Sequence, residues 1–180
     1  MNDKPSHAPP PNLCCRIVRR VPDGDTLERD VCAVCGTVHY VNPKIVVGSV
    51  CSWDGRILLC RRAIEPRRGF WTIPAGYLEE RETPVDGAKR EAREEACAEI
   101  EIDALLAVYS VARISQAQLI YRATLTAPEF SPGVESLETK LVPWQEIPWQ
   151  ELAFPSVHWA LNDHRAAEGR AHFAPFVNPP

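Results

Sequence analysis

The sequence lacks any long apolar run. No stretch reaches the roughly 18 apolar residues of a membrane-spanning helix, and the opening MNDKPSHAPPPN has no apolar core of the kind that marks a secretory signal. We therefore expect no membrane partner and, by default, a cytoplasmic location. Prolines cluster near both ends of the chain, which predicts extended or disordered tails at residues 1–12 and 171–180.

The sequence also lacks an excess of basic residues. Its formal net charge is −4 over 180 residues, whereas non-specific binding to nucleic acid usually requires a basic patch and a high isoelectric point. We therefore do not expect nucleic acid as a partner, although a small anionic substrate needs only local positive charge. No internal repeat or low-complexity tract is present, and the length suits one domain with a small appendage.

The cysteines do not form the even, regularly spaced set of a secreted disulfide framework. There are seven of them. Three lie in apolar strand or helix-end segments, and we expect these to be small core residues: Cys51, Cys60 and Cys97.

The other cysteines suggest a zinc site in the amino-terminal segment. Cys32 and Cys35 belong to a Cys-Ala-Val-Cys-Gly sequence, which has the shape of a zinc knuckle. The second pair would be Cys14 and Cys15, which are adjacent and do not easily occupy two corners of one tetrahedron; His39 is a further candidate. A metal-free hairpin with reduced cysteines is the alternative. A redox role is disfavoured, because no βαβ pattern places the motif at a helix start.

The most informative segment covers residues 76–98 and reads GYLEERETPVDGAKREAREEACA. On a helix Glu91, Glu94 and Glu95 share one face. Carboxylates about 6 Å apart repel by about 3 kcal/mol per pair at an effective dielectric of 20, unless a cation lies among them. Mg²⁺ or Mn²⁺ suits such oxygen donors and is commonly completed by substrate phosphates. The alternative is a solvated surface helix with ordinary ion pairs.

Local signals define the limits of this helix. Thr83 is a candidate N-cap, Pro84 suits the first helical position, and Asp86 at the third position favours the positive end of the helix dipole. We predict a helix from Pro84 to about Cys97.

The same segment resembles the Nudix box, Gly-x5-Glu-x7-Arg-Glu-U-x-Glu-Glu-x-Gly-U, in which U is aliphatic. The matching residues are Gly76, Glu82, Arg90, Glu91, Ala92, Glu94, Glu95 and Ala98. Cys97 stands where the family usually has the glycine that closes the helix, which puts the C-cap geometry in question rather than the chemistry. Residues 13–43 resemble the zinc ribbon that precedes some Nudix domains, with its first cysteine pair degraded.

The resemblance implies a set of site residues. The carbonyl of Ala75 and the side chains of Glu91, Glu94 and Glu95 would ligate Mg²⁺ or Mn²⁺. Glu82 would ligate a metal directly or through water, and Arg90 would hold the carboxylates. The general base varies within the family, so a box glutamate or a residue of a later loop would serve, with these loop candidates: Glu135 and Glu138. A solvated turn is the alternative for that loop.

Several further residues are candidate substrate contacts. Arg61 and Arg62 are plausible phosphate ligands, as are Arg67 and Arg68, although exposed arginines are common. Three aromatic residues could stack on a nucleobase, with core packing as the alternative: Trp71, Phe70 and Tyr109.

The remaining pattern predicts an α/β fold. Strands are expected at 45–51, 56–62, 99–111, 115–126 and 138–144, with an Asp54-Gly55 hairpin turn and a short break over Ala112–Ile114. Ser156 is expected to cap a final helix ending near Glu168. This order is similar to the Nudix α/β/α sandwich with a mixed sheet. We assign that domain to residues 44–170, after a small ribbon-like β hairpin. Nudix relatives are often dimers, so a homodimer is a further expectation.

The segments that flank the box limit the range of expected substrates. The Ser-Gln-Pro-Trp-Pro-Phe-Pro segment of ribbon-bearing NADH pyrophosphatases is absent. The segments VYSVARISQAQLIYRA and SPGVESLETKLVPWQEIPW resemble those of ADP-ribose and FAD pyrophosphatases, which implies hydrolysis of a nucleoside diphosphate derivative with release of AMP. The alternatives are an NADH or dinucleotide pyrophosphatase, a non-catalytic module that senses ADP-ribose, and a zinc-ribbon protein that binds nucleic acid.

Overall fold

The computed structural model describes residues 16–179 and divides the chain into two compact units, with the boundary between Asn42 and Pro43. The first unit is a three-stranded antiparallel sheet in the order β1-β2-β3. Its strands are β1 (Ile17–Arg20), β2 (Arg29–Cys32) and β3 (Val38–His39). The expected hairpin is therefore extended by a third, short strand. The predicted tail at residues 1–12 and the cysteines Cys14 and Cys15 lie outside the described residues.

The second unit is built on one mixed sheet. Its strands are β4 (Lys44–Trp53), β5 (Arg56–Arg62), β6 (Trp71–Thr72), β7 (Ala75–Tyr77), β8 (Ile100–Val111), β9 (Gln116–Leu125) and β10 (Ser136–Pro143). The main order is β10-β5-β4-β9-β8, in which β4 and β9 are parallel and the other neighbours are antiparallel. The helices are α1 (Pro84–Ala96) and α2 (Pro155–Ala166), and short 3-10 turns cover Ala112–Ile114, Trp144–Glu146 and Trp149–Glu151.

The two helices cover opposite faces of this sheet. Side chains alternate along a strand. Accordingly Val47 packs with Ala88 of α1, whereas Val50 lies in the cluster that contains Val157 and Leu161 of α2. This arrangement confirms the predicted α/β/α sandwich. Among residues 16–179, neither helix is long and apolar enough to cross a membrane.

The β4–β5 hairpin opens soon after its turn. Asp54 and Gly55 take positive φ angles of 47° and 71° at the turn, as the Asp-Gly signal predicted. Strands β4 and β5 pair directly only near that turn, and β7 then pairs with β4 while β6 pairs with β5. The chain between β6 and β7 thus enters the middle of the sheet, which brings Ala75 and Gly76 next to α1.

Three local expectations need correction. The N-cap of α2 is Phe154, without a side-chain hydrogen bond, so Ser156 lies inside the first turn. The reason is Pro155, which suits the first helical position and starts the helix earlier. This helix also ends at Ala166 rather than near Glu168. Cys97 is exposed rather than part of the core, because it follows the last turn of α1.

The carboxy-terminal segment is extended and pairs with the outer edge of β8. The N–H of Phe176 donates to the carbonyl of Leu106, and the N–H of Val108 donates to the carbonyl of Phe176, both at 2.9 Å. The amide side chain of Asn178 accepts from the N–H of Ser110 at 2.7 Å and donates to its carbonyl at 2.9 Å. This segment therefore satisfies backbone groups that an edge strand would otherwise expose.

Candidate active site

Helix α1 begins as the sequence predicts. Thr83 is the N-cap, and its Oγ1 accepts a hydrogen bond from the N–H of Asp86 at 3.1 Å. Its hydroxyl also donates to Asp86 Oδ2 at 2.6 Å. The cap and Pro84 fix the first turn, so the register of every downstream glutamate is set locally.

The end of α1 keeps the geometry expected of a glycine. Cys97 is left-handed, with φ 47° and ψ 32°, and its N–H donates to the carbonyl of Arg93 at 2.9 Å. Glycine adopts this conformation more easily than any other residue. Cys97 therefore replaces the usual glycine of the box but keeps the left-handed backbone conformation of the C-cap.

Small residues bring α1 close to the sheet. Ala88, Ala92 and Ala96 are fully buried. Glu91 and Glu95 lie beside this stripe with the same spacing and are only 7% and 5% exposed. Because burial disfavours the charged form of a carboxyl group, two buried glutamates on one helix are costly unless cations or donors compensate them.

Glu95 is the most strongly perturbed of these groups. Its Oε2 accepts a hydrogen bond from the N–H of Ala75 at 3.2 Å. Its pKa is raised to about 8, chiefly by burial and also by the nearby carboxylates of Glu91 and Glu135, while the Ala75 N–H and the Arg62 guanidinium act in the opposite direction. Burial also raises the pKa of Glu91. The site therefore disfavours negative charge in the absence of an added cation.

Arg90 links the other glutamates of the segment. Its guanidinium donates to both carboxylate oxygens of Glu82 at 2.8 and 3.1 Å, to Glu91 at 2.7 Å and to Glu94 at 2.8 Å. It also donates to the backbone carbonyl of Tyr77 at 2.9 Å. The bond to Arg90 is the main reason that the pKa of Glu82 is lowered. Arg90 thus fixes three carboxylates and ties the helix to β7.

The backbone of Ala75 and Gly76 faces these carboxylates. The carbonyl of Pro74 accepts from the N–H of Ser49 in β4 at 3.0 Å. Successive peptide groups of a strand point in opposite directions, so the N–H and carbonyl of Ala75 both point away from β4, towards Glu95. A Cβ on Gly76 would overlap the carboxylate of Glu91. Glycine at this position therefore leaves room for the Glu91 carboxylate in its present place against β7.

The loop between β9 and β10 docks on the carboxy-terminal end of α1. The N–H groups of Ser131 and Gly133 donate to the carbonyls of Ala96 and Glu95 at 2.9 and 3.1 Å. A Cβ on Gly133 would overlap the backbone carbonyl of Glu94. This role of Gly133 was missed in the sequence, where the Pro-Gly pair was the available signal for a close approach.

Docking of this loop places the two candidate general bases, Glu135 and Glu138, in different surroundings. Glu135 raises the pKa of both Glu91 and Glu95, so it lies near the buried carboxylates. Glu138 instead forms an ion pair with Arg61 at 3.7 Å, where both side chains are about half exposed. Arg61 also donates from Nε to the carbonyl of Gly69 at 2.9 Å.

The remaining candidate substrate contacts differ in their access to the site. Arg62 lies near enough to Glu95 to lower its pKa, and its Nε donates to the carbonyl of Pro66 at 2.9 Å. Trp71 is only 8% exposed and packs in the core on the α2 side. Tyr109 is fully buried and donates its hydroxyl to Asp163 at 2.5 Å. Arg62 therefore faces the carboxylates, whereas Trp71 and Tyr109 are core residues without a free ring face.

Comparison with known proteins decides the family. The NUDIX domain model matches residues 42–167. The chain belongs to the Nudix family. A zinc-ribbon model described as Nudix N-terminal matches residues 15–41. The crystal structure of a NUDIX hydrolase from Nitrosomonas europaea is 45% identical, with a TM-score of 0.86 over 93% of this chain and 97% of that chain.

Two curated relatives match over part of their length. A "MutT-like protein" of Streptomyces ambofaciens is 39% identical over 101 residues, which are 55% of this chain and 60% of that protein. An "ADP-ribose pyrophosphatase" of Methanocaldococcus jannaschii is 34% identical over 71 residues, which are 39% of this chain and 42% of that protein. The chain thus spans about half the length of these curated relatives.

The donor set of the Nudix box fits a hard divalent cation. Five carboxylates lie in or beside the cluster, and two guanidinium groups offset them: Glu82, Glu91, Glu94, Glu95 and Glu135, with Arg90 and Arg62. Within residues 16–179, no three acidic, cysteine or histidine side chains converge on one metal position, because Arg90 bridges three of the glutamates. The excess of negative charge and the oxygen donors suit Mg²⁺ or Mn²⁺.

The amino-terminal unit of this Nudix protein contains a knuckle-shaped turn. The N–H of Cys35 lies 3.4 Å from the Sγ of Cys32, and the N–H of Gly36 donates to the Cys32 carbonyl at 2.9 Å. Gly36 takes a positive φ of 75°. In the described part of the chain His39 does not join the two cysteines in a three-ligand group. Cys14 and Cys15, the other predicted ligands, lie outside that part. Two soft thiolates in such a turn fit zinc.

Proposed function

We propose that this protein hydrolyses the diphosphate linkage of ADP-ribose or FAD and releases AMP, with Mg²⁺ or Mn²⁺ as cofactor. The observation that carries the proposal is the pair of buried carboxylates, Glu91 and Glu95, held against the backbone of Ala75 and Gly76. A structural helix would gain nothing from burying two acids there. A metal-dependent hydrolase needs them to bind its cation.

Each residue of the cluster has a proposed role. Ala75, through its carbonyl, would be a metal ligand, together with these side chains: Glu82, Glu91, Glu94 and Glu95. Bound metal would neutralise charge on the diphosphate and polarise its phosphorus–oxygen bonds. Arg90 would keep the carboxylates in position through its bidentate bond to Glu82 and its bonds to Glu91 and Glu94.

Two residues are proposed to act on the reacting groups. Arg62 would contact the substrate phosphates, since it lies beside Glu95 and carries a permanent positive charge. Glu135 would accept the proton of the attacking water, because it lies near both buried carboxylates. Glu138 and Arg61 are occupied with one another at 3.7 Å, which favours Glu135 and Arg62 for these tasks.

The choice of substrate rests on two observations. The relative from Methanocaldococcus jannaschii carries the name ADP-ribose pyrophosphatase. The chain also lacks the segment that is typical of ribbon-bearing NADH pyrophosphatases. For the amino-terminal unit we propose a structural zinc ion bound by Cys32 and Cys35, with Cys14 and Cys15 as the second pair, in keeping with the zinc-ribbon match over residues 15–41.

A substrate panel tests the proposed function. Purified protein is incubated with Mg²⁺ or Mn²⁺ and with ADP-ribose, FAD, NADH, CoA or a diadenosine polyphosphate, and AMP is measured by chromatography. We expect AMP from ADP-ribose or FAD, and turnover reduced by at least a hundredfold in Glu95→Gln. The matched control is Glu99→Gln, because Glu99 is exposed and pairs with Arg93 outside the cluster.

The panel also separates the alternatives. Preferential cleavage of NADH would assign a dinucleotide pyrophosphatase. Binding of ADP-ribose without cleavage of any compound would identify a sensor and overturn the proposed enzyme. Turnover by Glu95→Gln at the wild-type rate would remove the metal-site assignment.

A further inference from the structure

A cleft of about 330 Å³ lies where the loop between β5 and β6 meets the amino-terminal end of α2. Its walls include Arg67 from the loop and three ring-bearing residues from the helix start: Phe154, His158 and Trp159. We call it the aromatic cleft. Its volume lies at the lower end of the range of small-molecule sites, about 300–1,000 Å³, so it suits one ring system and an attached sugar rather than a whole dinucleotide.

Neighbouring aromatic residues hold the rings of the aromatic cleft in position. Trp159 packs edge-on against Tyr109, with ring centroids 5.4 Å apart and planes at 71°. Tyr109 is in turn fixed by its hydrogen bond to Asp163 at 2.5 Å. The ring of His158 lies 5.8 Å from that of Trp149. These contacts hold the rings in place before a ligand arrives, which reduces the entropy lost on binding.

Arg62 links one wall of the aromatic cleft with the carboxylate cluster. The guanidinium of Arg62 lies 5.2 Å from the ring centroid of Phe154. The same guanidinium lies close enough to Glu95 to lower its pKa. It also bonds through Nε to the carbonyl of Pro66, in the loop that carries Arg67. A phosphate bound at Arg62 would therefore lie beside Phe154, which forms part of the wall of the aromatic cleft.

The chemistry of the lining favours a planar heteroaromatic group. Phe154, His158 and Trp159 offer ring faces and edges, and aromatic rings attract one another in stacked or edge-to-face arrangements. Arg67 adds one set of N–H donors, held over the ring of Phe70 at 5.1 Å. The single positive charge of Arg67 is too small for the cleft to favour a second phosphate group as its ligand. A nucleobase matches the rings, the donors and the volume together.

We propose that the aromatic cleft binds the base of the nucleotide substrate, with Arg67 and His158 as specificity-determining residues. The assignment rests on the proposed hydrolysis of a nucleoside diphosphate derivative, because it takes the phosphates to lie at Arg62 and Glu95. The proposal adds the position of the nucleobase, which would lie on the α2 side of Arg62.

Binding of AMP tests the site independently of catalysis. AMP is titrated into the zinc-loaded protein without added Mg²⁺ or Mn²⁺, with calorimetry for affinity and tryptophan fluorescence as a second signal. We expect Arg67→Ala and His158→Ala to raise the Kd for AMP about five- to tenfold each. Arg165→Ala is the matched control, since Arg165 lies on the same helix but stacks on Trp144 and pairs with Glu168. Ribose 5-phosphate, which has no base, should bind at least tenfold more weakly than AMP.

Kinetics then distinguish this proposal from the proposed function. With an active enzyme, His158→Ala should raise KM for the best substrate about five- to tenfold and lower kcat by a smaller factor. Unchanged AMP affinity and unchanged KM in both variants would overturn the aromatic cleft while leaving the hydrolase intact. Cleft-dependent AMP binding without hydrolysis of any substrate would overturn the hydrolase while supporting the cleft. Because both substituted side chains lie at the surface of the cleft, circular dichroism suffices to verify folding.

Discussion

Replacing Glu95 with glutamine should make the metal-free protein more stable at high pH. Burial raises the pKa of Glu95 from the ordinary 4.5 to about 8. Between these values the unfolded chain releases a proton that the folded chain retains. The stability of the metal-free protein must therefore fall as the pH rises through this window and level off above it. Glutamine cannot ionise, so Glu95→Gln should remove this part of the pH dependence.

The size of the stability gain follows from the same rise in the pKa of Glu95. A tenfold change in proton affinity is worth about 1.4 kcal/mol. The rise in pKa from 4.5 to about 8 therefore limits the gain in free energy of unfolding to about 5 kcal/mol. Relaxation around the charged form reduces this, and we expect Glu95→Gln to gain about 1–3 kcal/mol at pH 9. At pH 5 Glu95 is protonated and its replacement is nearly isosteric. The glutamine carbonyl can still accept the N–H of Ala75, which donates to Glu95 at 3.2 Å, so the gain should be close to zero there.

Thermal unfolding in EDTA at pH 5 and pH 9 measures this difference. For a chain of 180 residues, 1 kcal/mol corresponds to about 2–4 °C in Tm, so the variant should melt several degrees above the wild type at pH 9. Glu94→Gln is the control, because the Glu94 side chain is 54% exposed and should show no such gain. An equal effect of Glu95→Gln at both pH values, or a loss at pH 9, would show that burial does not keep Glu95 protonated in the folded protein.

Three further predictions concern other parts of the molecule. Cys97→Gly should stabilise the protein by about 0.5–1 kcal/mol in urea unfolding, because the residue has a φ of 47° and its side chain is exposed. Gly76→Ala should reduce turnover by at least a hundredfold with little loss of stability, since the added Cβ would overlap the Glu91 carboxylate and displace it. Replacing Cys32 or Cys35 with serine should remove close to one equivalent of zinc per chain, as measured by elemental analysis.

Each of these predictions has a clear contrary result. A destabilised Cys97→Gly variant would mean that the thiol makes a contact that outweighs the backbone strain. Wild-type turnover in Gly76→Ala would show that catalysis does not require the Glu91 carboxylate to lie against Gly76. Less than a tenth of an equivalent of zinc in the wild type would contradict the proposed zinc site.

Local signals in the sequence were enough to predict the elements that carry the box. Thr83 and Pro84 define the start of α1, and the helix ends one residue before the predicted position. The Asp54-Gly55 turn gives the hairpin and the register of β5. These features depend on neighbouring residues along the chain, which is why composition and spacing reveal them.

The features that the sequence left open or did not reveal depend on contacts between distant segments. Glu135 is placed beside the carboxylates only because Gly133 docks on the end of α1. The core position of Trp71 follows from the insertion of β6 against the open hairpin. The pairing of Phe176 with β8 joins residues about 70 positions apart. No local pattern encodes such approaches, since each is set by packing of the whole domain.

Binding of Mn²⁺ tests whether the carboxylates of α1 hold the divalent cation of a diphosphate hydrolase. Electron paramagnetic resonance measures free Mn²⁺ as the zinc-loaded protein is added at pH 8. The wild type and Glu99→Gln should take up at least one equivalent, and Glu95→Gln should bind at least tenfold more weakly. Equal binding by wild type and Glu95→Gln, or no binding by the wild type, would show that these carboxylates do not hold the cation.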